Sequence, residues 1–202
     1  AGGIAGHAFS STFVNTSSTG FVSATGYSIK VGGLVGSHVG ASGNTLSYIT
    51  NCYATGDVTG TTPEGNSYQV DTGGLVGFSQ LTTSIINCYA TGDVTSSGIE
   101  NTNRVTAGGI IGYTETEIHI RDCFATGDVS GTGKCSNYFV GVGGIVGRLH
   151  ANSDVENCYA IGDVSGTGTG DSAKVYVGGI AGTPYYSDIV NSYALNQHVS
   201  AS

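Results

Sequence analysis

The sequence predicts an all-β fold, a parallel β-solenoid of about six coils with about 35 residues in each. Three observations predict it. A block of two glycines, two apolar residues and a glycine occurs six times, a second block follows each copy, and successive second blocks start 34–36 residues apart. A unit of this size cannot bury its apolar strip alone. Stacked units can, because each strand then pairs with its equivalent one coil away.

The two blocks define the units. The glycine block reads GGIAG at 2–6, GGLVG at 32–36 and 73–77, GGIIG at 108–112, GGIVG at 143–147 and GGIAG at 178–182. The second block reads NCYATGDV at 51–58 and 87–94, DCFATGDV at 122–129 and NCYAIGDV at 157–164, with degenerate copies at 15–22 and 191–199. Residues 1–202 are therefore interpreted as one repeat domain. Its units are approximately 2–31, 32–72, 73–107, 108–142, 143–177 and 178–202.

Short apolar runs within each unit indicate strands. These runs are rich in β-branched residues and are bounded by Gly, Asn and Asp, which is typical of strands, whereas so many glycines would destabilise a helix. The alternative is a six-bladed β-propeller-like array, in which each unit forms a small antiparallel sheet. The solenoid is favoured, because blades usually need longer units and a double glycine gives a blade little to pack.

Composition excludes two classes of partner. The net charge is −8, and the six basic residues are scattered singly at Lys30, Arg104, Arg121, Lys134, Arg148 and Lys174. A chain without a basic patch is not expected to bind nucleic acid. No apolar run is long enough to span a bilayer, so membrane insertion is not expected either. Because the chain opens inside a repeat, we expect a processed product or a piece of a longer protein.

The blocks GGLVG and INCYATGDV resemble the GLUG repeat of bacterial surface proteins. The resemblance implies a right-handed parallel β-helix in a large secreted, adhesin-like protein. Such repeats also occur in the non-catalytic parts of immunoglobulin A-cleaving metallopeptidases. The terminal copies depart from the pattern, with Ser17 and Phe21 in the first and Asn196 and Gln197 in the last. Degenerate terminal units suit capping positions.

Two repeated polar positions are candidates for metal chemistry. Cys52, Cys88, Cys123 and Cys158 would form one column, a geometry unsuited to tetrahedral zinc, so we interpret them as small core residues. Cys135 is then an unpaired thiol. The aspartate column would repel itself unless backbone amides or cations compensate, so turn structure is favoured and calcium is the alternative. Its members are Asp57, Asp93, Asp128 and Asp163.

An aromatic column is the candidate ligand-binding surface. If the neighbouring Cys and Ala residues point inward, the rings point outward and could stack on sugars or on a neighbouring domain. If the rings point inward they belong to the core, and this arrangement is slightly preferred. The members are Tyr53, Tyr89, Phe124, Tyr159 and Tyr193.

No catalytic constellation is predicted. The five histidines fall at unrelated repeat offsets, and no metal-protease or serine-nucleophile motif occurs. Paired acids such as Asp154 with Glu156 are interpreted as solvated loop residues rather than a glycosidase pair. Arg104, Arg121 and Arg148 have different repeat offsets, so their convergence on one face is doubtful.

The leading hypothesis is a non-catalytic structural or adhesive repeat module of a bacterial secreted or cell-surface protein. Its expected partners are a host glycan or protein surface, further copies of itself stacked end to end in a filament, or adjoining domains. No cofactor is expected other than calcium at the aspartates. The alternative hypothesis is an accessory, non-catalytic region of a secreted peptidase or polysaccharide-active enzyme.

Overall fold

The protein is a parallel β-solenoid. Its computed structural model describes residues 1–40, 46–65, 68–100, 102–134, 139–170 and 173–202, and all regular structure in these ranges is β-strand. Each strand pairs in parallel with the equivalent strands of the neighbouring coils, and five such sheets run along the molecule. The predicted fold class is confirmed, and the propeller alternative is wrong because the strands of one coil do not pair with one another.

We number the sheets in the order in which a coil visits them. Sheet 1 contains Ser28–Gly32, Gln69–Gly73, Arg104–Gly108, Phe139–Gly143 and Lys174–Gly178. Sheet 2 contains Ala5–Phe9, Val35–Val39, Val76–Gln80, Ile111–Thr114, Val146–Leu149 and Ala181–Pro184. Sheet 3 contains Phe13–Val14, Ser47–Thr50, Thr83–Ile86, Ile118–Arg121, Asp154–Glu156 and Asp188–Val190.

The other two sheets complete the coil. Sheet 4 contains Ser17–Ser18, Tyr53–Ala54, Tyr89–Ala90, Phe124–Ala125, Tyr159–Ala160 and Tyr193–Ala194. Sheet 5 contains Val22–Thr25, Val58–Thr61, Val94–Gly98, Val129–Lys134, Val164–Thr169 and Val199–Ala201. In the part of the chain that the structure describes, sheets 2 to 5 have six strands and sheet 1 has five, so five complete turns follow a first coil without a sheet 1 strand.

The register superposes equivalent residues of the repeat. Val70 lies beside Ile29 on one side and Val105 on the other, and Ile85 lies between Ile49 and Ile120. Like residues therefore form columns along the solenoid, as the fixed period predicted. The energetic cost of a residue type that is unfavourable in such a column is therefore incurred once in every coil.

The turn that recurs in every second block is an asparagine corner between sheets 3 and 4. The residue at this position has a left-handed backbone in every coil, with φ between 48° and 54°. Asn and Asp adopt this conformation more readily than other non-glycine residues. The amide of Asn87 also donates to Oδ1 of Asn51 at 2.7 Å, and Asn51 donates to Asn15 at 3.2 Å. The side chains thus join the coils at the corner.

The interior is divided into two apolar compartments. Leu, Ile, Val, Cys and Ala side chains of sheets 2, 3 and 4 fill the larger one, and Val side chains of sheets 1 and 5 fill most of the smaller one. The second glycine of the glycine block lies against the alanine of sheet 4. A Cβ added at Gly109 would lie 2.5 Å from Cβ of Ala125. The glycine and the alanine are therefore a matched pair, and larger residues at either would separate the walls.

His38 is a buried polar residue within the larger compartment. Its Nε2 lies 2.9 Å from the carbonyl oxygen of Ser11, which only accepts, so Nε2 carries the proton and Nδ1 faces the hydroxyl of Thr83 at 3.3 Å. Burial lowers the pKa of His38, and the hydrogen bond to Ser11 opposes this shift. The imidazole is therefore neutral in the folded protein near neutral pH.

We expect the free energy of unfolding to fall as the pH drops below about 6.5, the ordinary pKa of histidine. The unfolded chain binds a proton there that the folded His38 resists, so protonation favours unfolding. Urea midpoints of the protein and of its His38→Gln variant, measured at about pH 7.5 and about pH 5.5, check this. The variant should lose less stability between the two pH values, and an equal loss in both proteins would contradict the assignment to His38.

Candidate binding surfaces

The aspartate column bonds to the backbone of the next coil. Oδ1 of Asp57 accepts the N–H of Asp93 at 3.0 Å, Oδ1 of Asp93 accepts that of Asp128 at 2.9 Å, and Oδ1 of Asp128 accepts that of Asp163 at 2.8 Å. In the last coil, Oδ1 of Asp163 accepts the N–H of His198 at 3.0 Å. This arrangement favours the turn interpretation. In the described ranges no group of three or more His, Cys, Asp or Glu side chains has a metal-binding arrangement, and calcium at this column stays a prediction.

The cysteine column belongs to the core. The four side chains point inward, are buried and are free thiols, as predicted from their shared repeat position. Each Sγ lies near the carbonyl oxygen two residues earlier, at 3.2 Å for both Cys52 and Cys88. Burial raises the pKa of the Cys123 thiol, which keeps it in the unreactive neutral form. Cys135 lies outside the described residues.

We expect the four column thiols to resist alkylation by iodoacetamide in the native protein and to react fully in urea. All four side chains are buried, and burial keeps the reagent away from each sulfur atom. Peptide mass spectrometry of pulse-labelled protein measures each site separately, with a free dipeptide thiol as the rate standard. Native labelling of any of the four at the rate seen in urea would contradict a packed column.

The aromatic column lies on the outside of the solenoid. The preference for a core position was wrong, because the adjacent Cys and Ala side chains take the inward positions and the rings alternate to the other face. Tyr53, Tyr89, Phe124 and Tyr159 stack in parallel with centroids 4.8, 4.9 and 5.0 Å apart. These four rings are half-buried, and Tyr193 in the last coil is 64% exposed. The rings therefore form a ribbon of outward-facing aromatic edges.

The paired acids lie on strands and have basic partners. Asp154 and Glu156 belong to sheet 3, so the interpretation as loop residues was wrong. Arg121 contacts Oδ2 of Asp154 at 3.2 Å and Oε2 of Glu156 at 3.1 Å, and the ring of His119 bonds to Asp154. Both carboxylates are thus held by Arg121 of the neighbouring coil.

Sheets 1 and 2 face each other across an external cleft. We define the cleft by the side chains of Lys30, Phe78, Arg104, Tyr113, Phe139 and Arg148. The guanidinium of Arg104 from sheet 1 lies 3.7 Å from the ring centroid of Tyr113 in sheet 2. In the next coil the two types are exchanged, since Arg148 from sheet 2 lies 4.7 Å from the ring of Phe139 in sheet 1. Lys30, like Arg104, extends from sheet 1, and it lies 5.1 Å from the ring of Phe78 in sheet 2.

A buried ion pair forms the floor of the cleft. Arg104 donates to Asp71 through Nε at 2.9 Å and through a terminal nitrogen at 2.7 Å. The hydroxyl of Thr106 donates to the same carboxylate at 2.8 Å. The Asp71 side chain is completely buried and that of Arg104 is 17% exposed. Burial lowers the pKa of Arg104, but the charge and hydrogen bonds of Asp71, together with the nearby Tyr113 and Glu115, raise it by more in sum, so the guanidinium stays charged.

The cleft corrects one expectation from the sequence. Arg104 and Arg148 do converge, since both contact the ring of Tyr113, at 3.7 and 5.7 Å, whereas Arg121 lies on sheet 3. Sequence reasoning missed this site because it compared the arginines with one another. The available signal was the aromatic partner, since Arg104 to Tyr113 and Phe139 to Arg148 are both separations of nine residues. Two residues nine positions apart lie on either side of the glycine turn, one in sheet 1 and the other at the facing position of sheet 2.

The fold and its columns define a repeat module in which identical structural blocks stack to form a continuous solenoid. The family model for the GLUG motif matches this chain three times, at residues 69–95, 103–130 and 140–165. The chain therefore contains GLUG repeats, as the resemblance implied. The comparisons with curated proteins and with solved structures found no match. No helix in the described ranges is long and apolar enough to cross a membrane.

Proposed function

We propose that this protein is a non-catalytic structural and adhesive module of a bacterial secreted or cell-surface protein. The observation that carries the proposal is the outward ribbon of stacked aromatic rings, with centroids 4.8–5.0 Å apart along the solenoid. Exposed aromatic surface presented on a rigid support is typical of recognition sites. The Asp and Asn columns, by contrast, bond between coils and so contribute to the scaffold.

An array of host glycans and extracellular host proteins tests the adhesive role. The immobilised protein is expected to retain at least one class of ligand, and the Tyr89→Ala, Tyr159→Ala double variant to lose most of that binding. The matched control is Tyr48→Ala, which removes an exposed tyrosine of sheet 3 outside the column. Absence of binding to every ligand on the array would overturn the adhesive role.

End-to-end stacking of copies is the structural part of the proposal. Ile189 and Val199 in the last coil are 41% and 48% exposed, whereas their column equivalents in the middle coils are buried. In the first coil Ile4 is 50% exposed. The two end faces present the same columns in the same order, so a second copy of this chain would continue them and bond to the free strand edges.

Sedimentation velocity over a range of protein concentrations tests the stacking. The protein is expected to form species larger than a monomer, and the Ile189→Lys, Val199→Lys variant to sediment as a monomer. The control places lysines at Thr95 and Ser130 on the outer side of sheet 5, away from both ends. A monomer at all concentrations would overturn the stacking while leaving the adhesive role to the array.

A further inference from the structure

The cleft concentrates the positive charge of an acidic protein. The net charge is −8 with six basic residues, yet four of the six lie along sheets 1 and 2, namely Lys30, Arg104, Arg148 and Lys174. Within the described ranges, the acids near them are Asp71, which is bonded to Arg104, and Glu115, which contributes charge near Arg104 and Tyr113. Among these described side chains the local balance is therefore positive, whereas the net charge of the protein is negative.

Arg148 has no carboxylate partner in the described part of the chain. Arg104, Arg121 and Lys134 each pair with an acid, at 2.7, 3.1 and 3.6 Å respectively. Nε of Arg148 is buried and makes no hydrogen bond to any described residue. A guanidinium that is held against a ring and has no carboxylate partner is suited to bind a planar anion through two parallel hydrogen bonds from its terminal nitrogens.

Two cavities meet at Arg148. One of about 410 Å³ is lined by Phe139, Arg148, Lys174, Tyr176 and Tyr185, among others. The other, of about 310 Å³, contains Arg148 and Phe139 together with Tyr68 and Arg104. Both open to solvent on successive coils, so together they form a trough along the solenoid axis. Tyr68, Tyr176 and Tyr185 are 66%, 41% and 48% exposed, which leaves phenol rings available on its walls.

We propose that this cleft binds a linear saccharide that carries carboxylates, with one carboxylate on Arg148 and sugar rings against the exposed tyrosines. The proposal rests on the adhesive function proposed above and names its ligand class. A bidentate bond between guanidinium and carboxylate supplies orientation as well as attraction. Lys174 lines the same cavity and supplies a second cation for a neighbouring carboxylate.

The walls favour a saccharide over an acidic peptide. A pyranose ring presents apolar C–H faces and hydroxylated edges, which match a phenol ring with its apolar face and polar tip. A peptide that binds in extended form would also need free strand edges for its backbone groups. In the interior coils the strand edges of sheets 1 and 2 are already paired on both sides. The cleft therefore offers rings and cations, and it lacks free backbone groups there.

Isothermal titration calorimetry with three probes tests the proposal. The probes are an oligogalacturonate, the neutral galactose oligomer of equal length, and an oligoglutamate of equal charge. The protein is expected to bind the oligogalacturonate at least about tenfold more tightly than either of the others, a difference of about 1.4 kcal/mol. Affinity should fall as salt is added, because exposed charges are screened.

Substitutions in the cleft separate the contribution of the Arg148 charge from that of the tyrosine rings. Arg148→Gln is expected to lower affinity for the oligogalacturonate at least about tenfold, and Arg148→Lys to lower it less because the charge remains without the planar fork. Tyr176→Ala should weaken the oligogalacturonate severalfold and oligoglutamate hardly at all. The matched control is Arg121→Gln, which removes an arginine of sheet 3 and should leave affinity unchanged. Circular dichroism confirms that each variant is folded.

The outcomes distinguish this proposal from the proposed function. Equal binding of the neutral oligomer would overturn the role of the carboxylate, and equal binding of oligoglutamate would overturn the saccharide class. If the oligogalacturonate does not bind but the array shows other ligands, the cleft assignment fails and the adhesive function stands. If neither experiment shows binding, both fail together.

Discussion

The Gly112→Ala substitution is expected to lower the free energy of unfolding by about 3 kcal/mol, because overpacking against backbone cannot be relieved by a rotamer change. Gly112 is the last glycine of its block and lies in sheet 2. A Cβ there would lie 2.6 Å from the carbonyl oxygen of Gly77 and 2.6 Å from the amide nitrogen of Thr72. The substitution therefore forces two neighbouring coils apart. The urea midpoint and slope of the variant measure the loss.

Gly6→Ala is the matched control for this prediction. Gly6 occupies the same block position in the first coil, and nothing lies within 4 Å of the Cβ that alanine would add. Its effect should stay within about 0.5 kcal/mol, as for an ordinary surface substitution. Similar losses at both positions would show that glycine is required for its backbone conformation and not for the close approach of coils.

The Arg104→Ala substitution is expected to destabilise the fold by about 3–5 kcal/mol, because it leaves a buried carboxylate without its cation. The Asp71 side chain is completely buried, and among the described residues only the Thr106 side chain would remain to donate to it. The ring of Tyr113 would also lose the guanidinium that lies 3.7 Å from its centroid. Urea unfolding at neutral pH measures the loss of unfolding free energy.

Lys134→Ala is the control for this prediction, because it removes an exposed ion pair in place of a buried one. Lys134 lies 3.6 Å from Glu100, and the two side chains are 52% and 44% exposed. Such surface pairs contribute about 0–1 kcal/mol, so the loss should be small. If Arg104→Ala cost no more than this control, the Asp71 carboxylate would have to be solvated in the folded protein, which contradicts its burial.

Several features could be read from the period alone. The glycine blocks and second blocks recur at a constant interval, so the parallel stacking, the columns and the inward cysteines all followed from superposing one unit on the next. The asparagine corner followed too, since Asn and Asp tolerate the left-handed backbone that the turn requires. These predictions concern relations along the solenoid axis, where the register is fixed by pairing each residue with its own equivalent.

The aromatic column shows why direction was harder to predict than position. Alternation along a strand requires the tyrosine to oppose its Cys and Ala neighbours but does not say which set faces in. The glycine block decides it, because Gly109 approaches Ala125 so closely that only a small side chain fits inside. Because the glycine and the alanine belong to different blocks, the sequence does not show that they meet.

The sequence by itself determined that this is a stacked repeat protein and which residues share a column, because a fixed period sets the register between coils. Only the tertiary structure decided which columns face one another around the coil. The turn at the double glycine brings sheets 1 and 2 together, so that Arg104 lies against Tyr113 and Arg148 against Phe139. The angle between sheets 1 and 2 depends on how turns and side chains fill both interior compartments. The repeat period along the sequence carries no information about that angle.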